Sequence, residues 1–98
     1  MQIPRIKLGG VGMKISKPAK AGTMESNDIY VMVQPHDGGI QINIESIVMK
    51  QFGKQIENTI RETLDKLQVE NALIVAKDRG ALDFTIRARV EAAIKRAL

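Results

Sequence analysis

Ser26, His36 and Asp37 are the residues whose types would permit nucleophilic chemistry in this chain. In such a set a hydroxyl attacks, an imidazole takes its proton and a carboxylate orients the imidazole. The spacing opposes it. His36 and Asp37 are neighbours in the turn Pro35-His36-Asp37-Gly38-Gly39, which is poor catalytic geometry, and no Gly-x-Ser-x-Gly elbow surrounds Ser26. His36 therefore reads as a solvated turn residue. With one His, no Cys and no carboxylate cluster at ligand spacing, no metal set is expected. The absence of Cys has a second consequence: no side chain can hold a thioester, so thioester chemistry would need a thiol from an attached group.

Three serines remain to be sorted. Ser46 precedes a helical pattern and suits an N-cap, accepting from orphan amides at a helix start. Ser16 and Ser26 lie in a polar N-terminal arm. Around Ser26, Gly22 allows close approach, while Asn27 and Asp28 favour a turn that exposes the hydroxyl. The acidic flanks Glu25 and Asp28 would repel a phosphodiester attached there. Arg79, Arg87 and Arg89 could contact phosphates; local ion pairs to Asp83 and Glu91 on a solvated helix face are the competing reading. Gly9-Gly10-Val11-Gly12 has no strand before it and no helix after it, so it reads as linker and not as a phosphate loop.

The elements that must position these residues follow from period and punctuation. Residues 13–28 show no helical period and read as an extended arm or short edge strand leading to Ser26. Ile29, Val31 and Val33 alternate with Tyr30, Met32 and Gln34, and Ile40, Ile42 and Ile44 alternate with Gln41, Asn43 and Glu45. These are two strands, and the Pro/Gly turn between them predicts an antiparallel hairpin. Val48, Phe52, Ile56, Ile60, Leu64 and Leu67 recur at helical spacing, with Gly53 an interruption that close packing would explain. Asn71–Ala76 suits a buried central strand. Leu82, Ile86, Val90, Ala93, Ile94 and Ala97 mark a second helix, with Lys95 and Arg96 against the negative end of its dipole. Phe52 and Ile86 are expected in a small, largely aliphatic core. The fold class is α+β: a two-layer domain, with a small, mainly antiparallel sheet and two amphipathic helices on one face.

Ninety-eight residues make one domain. The formal charge of +4 invites a small basic nucleic-acid-binding domain as a function of another class. Without Arg5 and Lys7 the balance falls to +2, the other cations are dispersed, and Tyr30 alone offers a stacking face on the predicted strands. Residues 1–12 read as an expression tag or vector scar, with Met13 a native start, leaving 13–98 as the functional domain. No apolar run approaches the roughly 20 residues that span a bilayer. No signal-peptide pattern is seen, so the expectation is a cytoplasmic protein with no membrane, nucleic-acid or metal partner.

Several segments, in order, carry a more specific message: Lys14-Ile15, Pro18-Ala19, Ala21-Gly22-Thr23-Met24-Glu25-Ser26-Asn27-Asp28, Lys50-Gln51-Phe52-Gly53, Gly80-Ala81-Leu82-Asp83 and Arg87-Ala88-Arg89-Val90-Glu91-Ala92. Together they cover essentially all of residues 13–98, and they resemble the acyl carrier (gamma) subunit of citrate lyase. The resemblance implies a non-catalytic carrier and a phosphoprotein. In that family the serine at the position of Ser26 holds 2'-(5''-phosphoribosyl)-3'-dephospho-CoA through a phosphodiester, attached by a prosthetic-group-transferring enzyme. It further implies two partners, an alpha (transferase) subunit that exchanges acetate for citrate and a beta (lyase) subunit that releases oxaloacetate. The carrier subunit of malonate decarboxylase, which resembles the same family and uses the same type of group, is the near alternative. A purely structural assembly subunit is a further one. No Asp-Ser-Leu is present, so ordinary phosphopantetheine attachment is not implied.

Overall fold

Six elements follow one another in a computed structural model that describes residues 12–98: β1 (Ala19–Gly22), β2 (Ile29–Gln34), β3 (Ile40–Ser46), α1 (Met49–Lys66), β4 (Ala72–Asp78) and α2 (Asp83–Arg96). The expected tag, residues 1–12, falls outside the described residues apart from Gly12. The strands form one sheet in the order β1-β2-β4-β3. β1 with β2 and β2 with β4 are antiparallel; β3 with β4 is parallel, the connection being made by α1. α2 packs over β1 and β2, α1 packs beside β3, and the helices meet each other. This is the expected α+β two-layer arrangement.

The expected β2–β3 hairpin does not form, because β4 lies between the two strands. Alternation identifies a strand and its buried face but not its neighbour. β4, unlike β3, is apolar on both faces: Ala72, Ile74 and Ala76 are fully covered, and Leu73 and Val75 are partly covered on the opposite face. A strand apolar on both faces gains most from a central place. The Pro35–Gly39 segment crosses its start, where Ala72 N–H donates to Gly39 O (3.1 Å) and Gly39 N–H donates to Asn71 Oδ1 (2.8 Å).

The core is aliphatic, built on Ile29, Val31, Ile60, Leu64, Ile74, Ile86, Val90 and Ile94. Ile86 is where the helical stripe predicts it. Phe52 is not: its side chain is 49% exposed. The inward line of α1 runs through Gly53, Ile56, Thr59, Ile60, Thr63 and Leu64, so the first covered position of the helix belongs to the glycine and not to Phe52. A Cβ on Gly53 would lie 2.7 Å from Met49 Cε, the tip of a flexible side chain one turn earlier on the same helix, and would meet no other element within 4 Å among its nearest atoms. Thr59 and Thr63 tolerate burial because their hydroxyls donate to the carbonyls of Gln55 (2.9 Å) and Thr59 (2.8 Å). Leu82, expected on the inner stripe of α2, is 62% exposed, because it is the extended residue that precedes the helix.

Ser46 also departs from expectation. The N-cap of α1 is Val48, without a side-chain cap. Parallel register sets Ser46 beside Asp78, and its hydroxyl donates to Asp78 Oδ2 (2.8 Å) while accepting from Val48 N–H (3.1 Å).

Candidate functional site

Ser26 occupies the tip of the Thr23–Asp28 connection between β1 and β2. Asp28 N–H donates to Glu25 O (3.2 Å), which closes a four-residue turn with Ser26 and Asn27 at its centre. Asn27 has φ 66°, the left-handed conformation that Asn tolerates better than other non-glycine residues. Asn27 N–H donates to Arg79 O (2.8 Å), and Arg79 N–H donates to Asp28 O (2.9 Å). Two residues thus oppose one, the hydrogen-bond pattern of a G1-type bulge in which Asn27 stands where glycine is usual. The bulge extends the β2–β4 ladder past the Ile29–Asp78 pair and fixes the residue after Ser26.

Asp28 braces the turn from inside. Its Oδ2 accepts from Thr23 Oγ1 (2.7 Å), Thr23 N–H (3.1 Å) and Arg89 Nη2 (2.9 Å). Its Oδ1 accepts from Ile29 N–H (2.7 Å) and Arg89 Nε (2.9 Å). Thr23 Oγ1 in turn accepts from Glu25 N–H (3.2 Å). Burial alone would push the Asp28 carboxyl up. Hydrogen bonds from Arg89, Thr23 and Ile29, together with the Arg89 charge, outweigh that and lower it from 3.8 to about 2. Arg89 is correspondingly held above its ordinary range by Asp28. From the sequence, Asp28 is expected to repel a phosphodiester, and Arg89 either to contact phosphate or to pair along its own helix. Instead the two neutralise each other, Glu91 pairs with Lys95 (2.7 Å), and Asp83 accepts from Gln55.

Gly22 is required where it stands. It has φ 92°, and a Cβ there would lie 1.9 Å from Ile29 O. A second buried carboxylate, Asp78, holds the segment facing the turn: besides Ser46 it accepts from Gly80 N–H (3.1 Å) and Ala81 N–H (3.0 Å). The position of a Cβ on Gly80 is 3.7 Å from Asn27 Oδ1, so this segment and the Ser26 turn are adjacent. Sequence reasoning missed both acidic braces. The available signal for Asp78 was an Asp closing an apolar strand just before Arg-Gly, the setting of an Asx turn.

The serines separate clearly. Ser16 Oγ donates to Ala97 O (3.3 Å) and Ser46 Oγ to Asp78, whereas the exposed Ser26 hydroxyl has no hydrogen-bond partner among the described residues. His36 and Asp37 follow the far end of β2, whose six residues span roughly 20 Å, so they cannot join Ser26 in a triad. Among the described residues no group of three His, Cys, Asp or Glu could hold a metal ion, and no helix is long and apolar enough to cross a membrane. Beside the turn, Gly80 also lines a groove between the starts of α1 and α2. Both phenylalanines of the chain line it, Phe52 with Phe84, which is 64% exposed.

The family described as "ACP: Malonate decarboxylase delta subunit (MdcD)" matches residues 16–97. A citrate lyase acyl carrier protein from Vibrio cholerae serotype O1 (strain M66-2) is 51% identical over 86 residues, covering 87% of this chain and 88% of that one. One from Haemophilus influenzae (strain PittGG) is 54% identical over 85 residues, covering 87% and 88%, and one from Halothermothrix orenii is 48% identical over 85 residues, covering 87% and 90%. A chain in the crystal structure of a Pseudomonas malonate decarboxylase hetero-tetramer in complex with malonate has the same fold, with a TM-score of 0.76 over 90% of this chain and 91% of that chain, at 21% identity. With about half its residues shared along nearly its whole described length, the chain belongs to the citrate lyase acyl carrier protein family.

Proposed function

We propose that residues 13–98 are the carrier domain of a citrate lyase and that Ser26 is its loading point. On this reading the Ser26 hydroxyl is joined by a phosphodiester to 2'-(5''-phosphoribosyl)-3'-dephospho-CoA, which makes the chain a phosphoprotein. When bound, that group supplies the thiol that holds acetyl or citryl cargo, which no side chain of this Cys-free chain can do. The observation that carries the reading is the Ser26 hydroxyl: exposed, uncommitted and held at the tip of a braced turn. The residues present fit the group, since nothing among the described residues competes for that oxygen and the adjoining Asp28 charge is already paired with Arg89.

The chain's own contribution is presentation. A two-point attachment of the turn, through Asp28 to α2 and through Arg79 to β4, lets a transferring enzyme meet the hydroxyl in one orientation. Afterwards the tether raises the local concentration of cargo at two successive partner sites, the alpha (transferase) and beta (lyase) subunits. Exposed Phe52, Leu82 and Phe84 beside the turn supply apolar surface suited to contact with other proteins. We place the chain in the cytoplasm, where coenzyme A derivatives are available.

Identity near 50% to citrate lyase carriers supports that system over malonate decarboxylase. The test is reconstitution. Loaded chain whose thiol has first been acetylated, added to carrier-free alpha and beta subunits, is expected to release acetate and restore citrate cleavage to oxaloacetate, and unloaded chain is not. Activity restored only in a carrier-free malonate decarboxylase would overturn the choice.

A further inference from the structure

Arg79 is the cation whose main chain is built into the Ser26 turn. Its carbonyl accepts from Asn27 N–H and its amide donates to Asp28 O, so it faces the two residues that follow Ser26. Unlike Arg89, whose guanidinium is held by Asp28, Arg79 is exposed and forms no ion pair among the described residues. A bulge is a rigid, two-bonded attachment, and it keeps the main chain of Arg79 beside the turn, within a side chain's reach of whatever the turn carries. Two residues earlier, near the end of β4, Lys77 adds a second positive charge, in register with Tyr30 on β2. With Asp28 neutralised, Glu25 is the one acidic residue of the turn left without a cationic partner among the described residues.

We propose that Arg79 is the phosphate contact of the loaded carrier, its guanidinium bonding the phosphodiester oxygens on Ser26. The inference rests on the loading of Ser26 proposed above. Guanidinium offers paired N–H donors matched to two phosphate oxygens, which a lysine cannot reproduce. The contact is absent before loading, when the residue has no anionic partner among those described. It orients the root of the tether while leaving its distal end free to reach partner sites. Being solvent-exposed, it is modest in strength and weakened by salt.

The experiment compares unloaded chain with chain loaded by the transferring enzyme, in the parent, Arg79→Gln and Lys66→Gln. Lys66 ends α1 next to the residues that lead into β4, at the far end of the sheet from Ser26, and serves as the control. Intact mass first establishes the adduct. In nitrogen–proton spectra of the parent, the Arg79 Nε–Hε signal is expected to shift on loading and to return toward its unloaded position in 1 M salt. The phosphorus signal of the diester is expected to move in Arg79→Gln and to stay at the parent position in Lys66→Gln. An adduct of the right mass with an unchanged Arg79 signal overturns this inference and leaves the loading of Ser26 standing. No adduct on the parent under competent conditions overturns both. Should Arg79→Gln accept no adduct, the comparison of unloaded and loaded parent decides alone.

Discussion

Asp28 and Arg89 lie 61 positions apart in the chain and meet as a two-bonded ion pair, Nε to Oδ1 and Nη2 to Oδ2, each at 2.9 Å. The pair ties the turn that presents Ser26 to the middle of α2. Removing the guanidinium leaves a buried carboxylate without its main partner. Arg89→Ala should therefore lower stability by about 1–3 kcal/mol in chemical denaturation. Arg89→Lys should recover only part of that loss, since a lysine cannot occupy both oxygens in the same fork.

The acid limb of stability should report the same pair. Asp28 is lowered to about 2 in the fold, below its value of 3.8 as a free side chain. A depressed carboxylate contributes stability that is complete above the unfolded value and is lost as pH falls through the folded one. Unfolding followed between about pH 5 and pH 2 should show a drop in the parent that is smaller in Asp28→Asn, whose overall stability is lower. Parallel acid limbs in the two proteins would show that Asp28 is not the group responsible.

Asn27 holds a positive φ inside the bulge opposite Arg79. Asn27→Gly should be close to neutral in melting temperature. Asn27→Val should cost about 1–3 kcal/mol, because a β-branched residue is strained in that conformation.

Ile86 and Phe52 should behave oppositely. Ile86 is buried against the sheet, and Ile86→Ala should cost about 2–5 kcal/mol. Phe52 is half in solvent, so Phe52→Ala should cost roughly 1 kcal/mol or less. A larger penalty for Phe52 than for Ile86 in urea unfolding would contradict the packing of α1 described above.

The strands, both helices and the Ser26 turn were legible because each rests on local signals: alternation in β2 and β3, a stripe ending in Ile94 and Ala97, Gly22 and Asn-Asp around the serine. Strand order was not legible. The placement of β4 between β2 and β3 depends on comparing the two faces of β4 with the polar outer face of β3, and no short window contains that comparison. Phe52 misled because hydrophobic spacing gives the period of a helix but not where its first turn overhangs the sheet. The Asp28–Arg89 brace was invisible for a third reason. Charge pairs within a helix can be read from spacing, whereas a pair 61 positions apart exists only once α2 has packed over β1 and β2.

The most direct measurement is the intact mass of the chain after incubation with the transferring enzyme and the triphosphoribosyl form of the group, in the parent, Ser26→Ala and Ser16→Ala. Before incubation all three should have bare polypeptide mass. Afterwards the parent and Ser16→Ala should gain one phosphoribosyl-dephospho-CoA, and Ser26→Ala should gain none while keeping the parent's melting temperature, because the Ser26 hydroxyl has no bonded partner among the described residues. An adduct that persists on Ser26→Ala, or none on the parent with an enzyme active on a known carrier, would contradict the account.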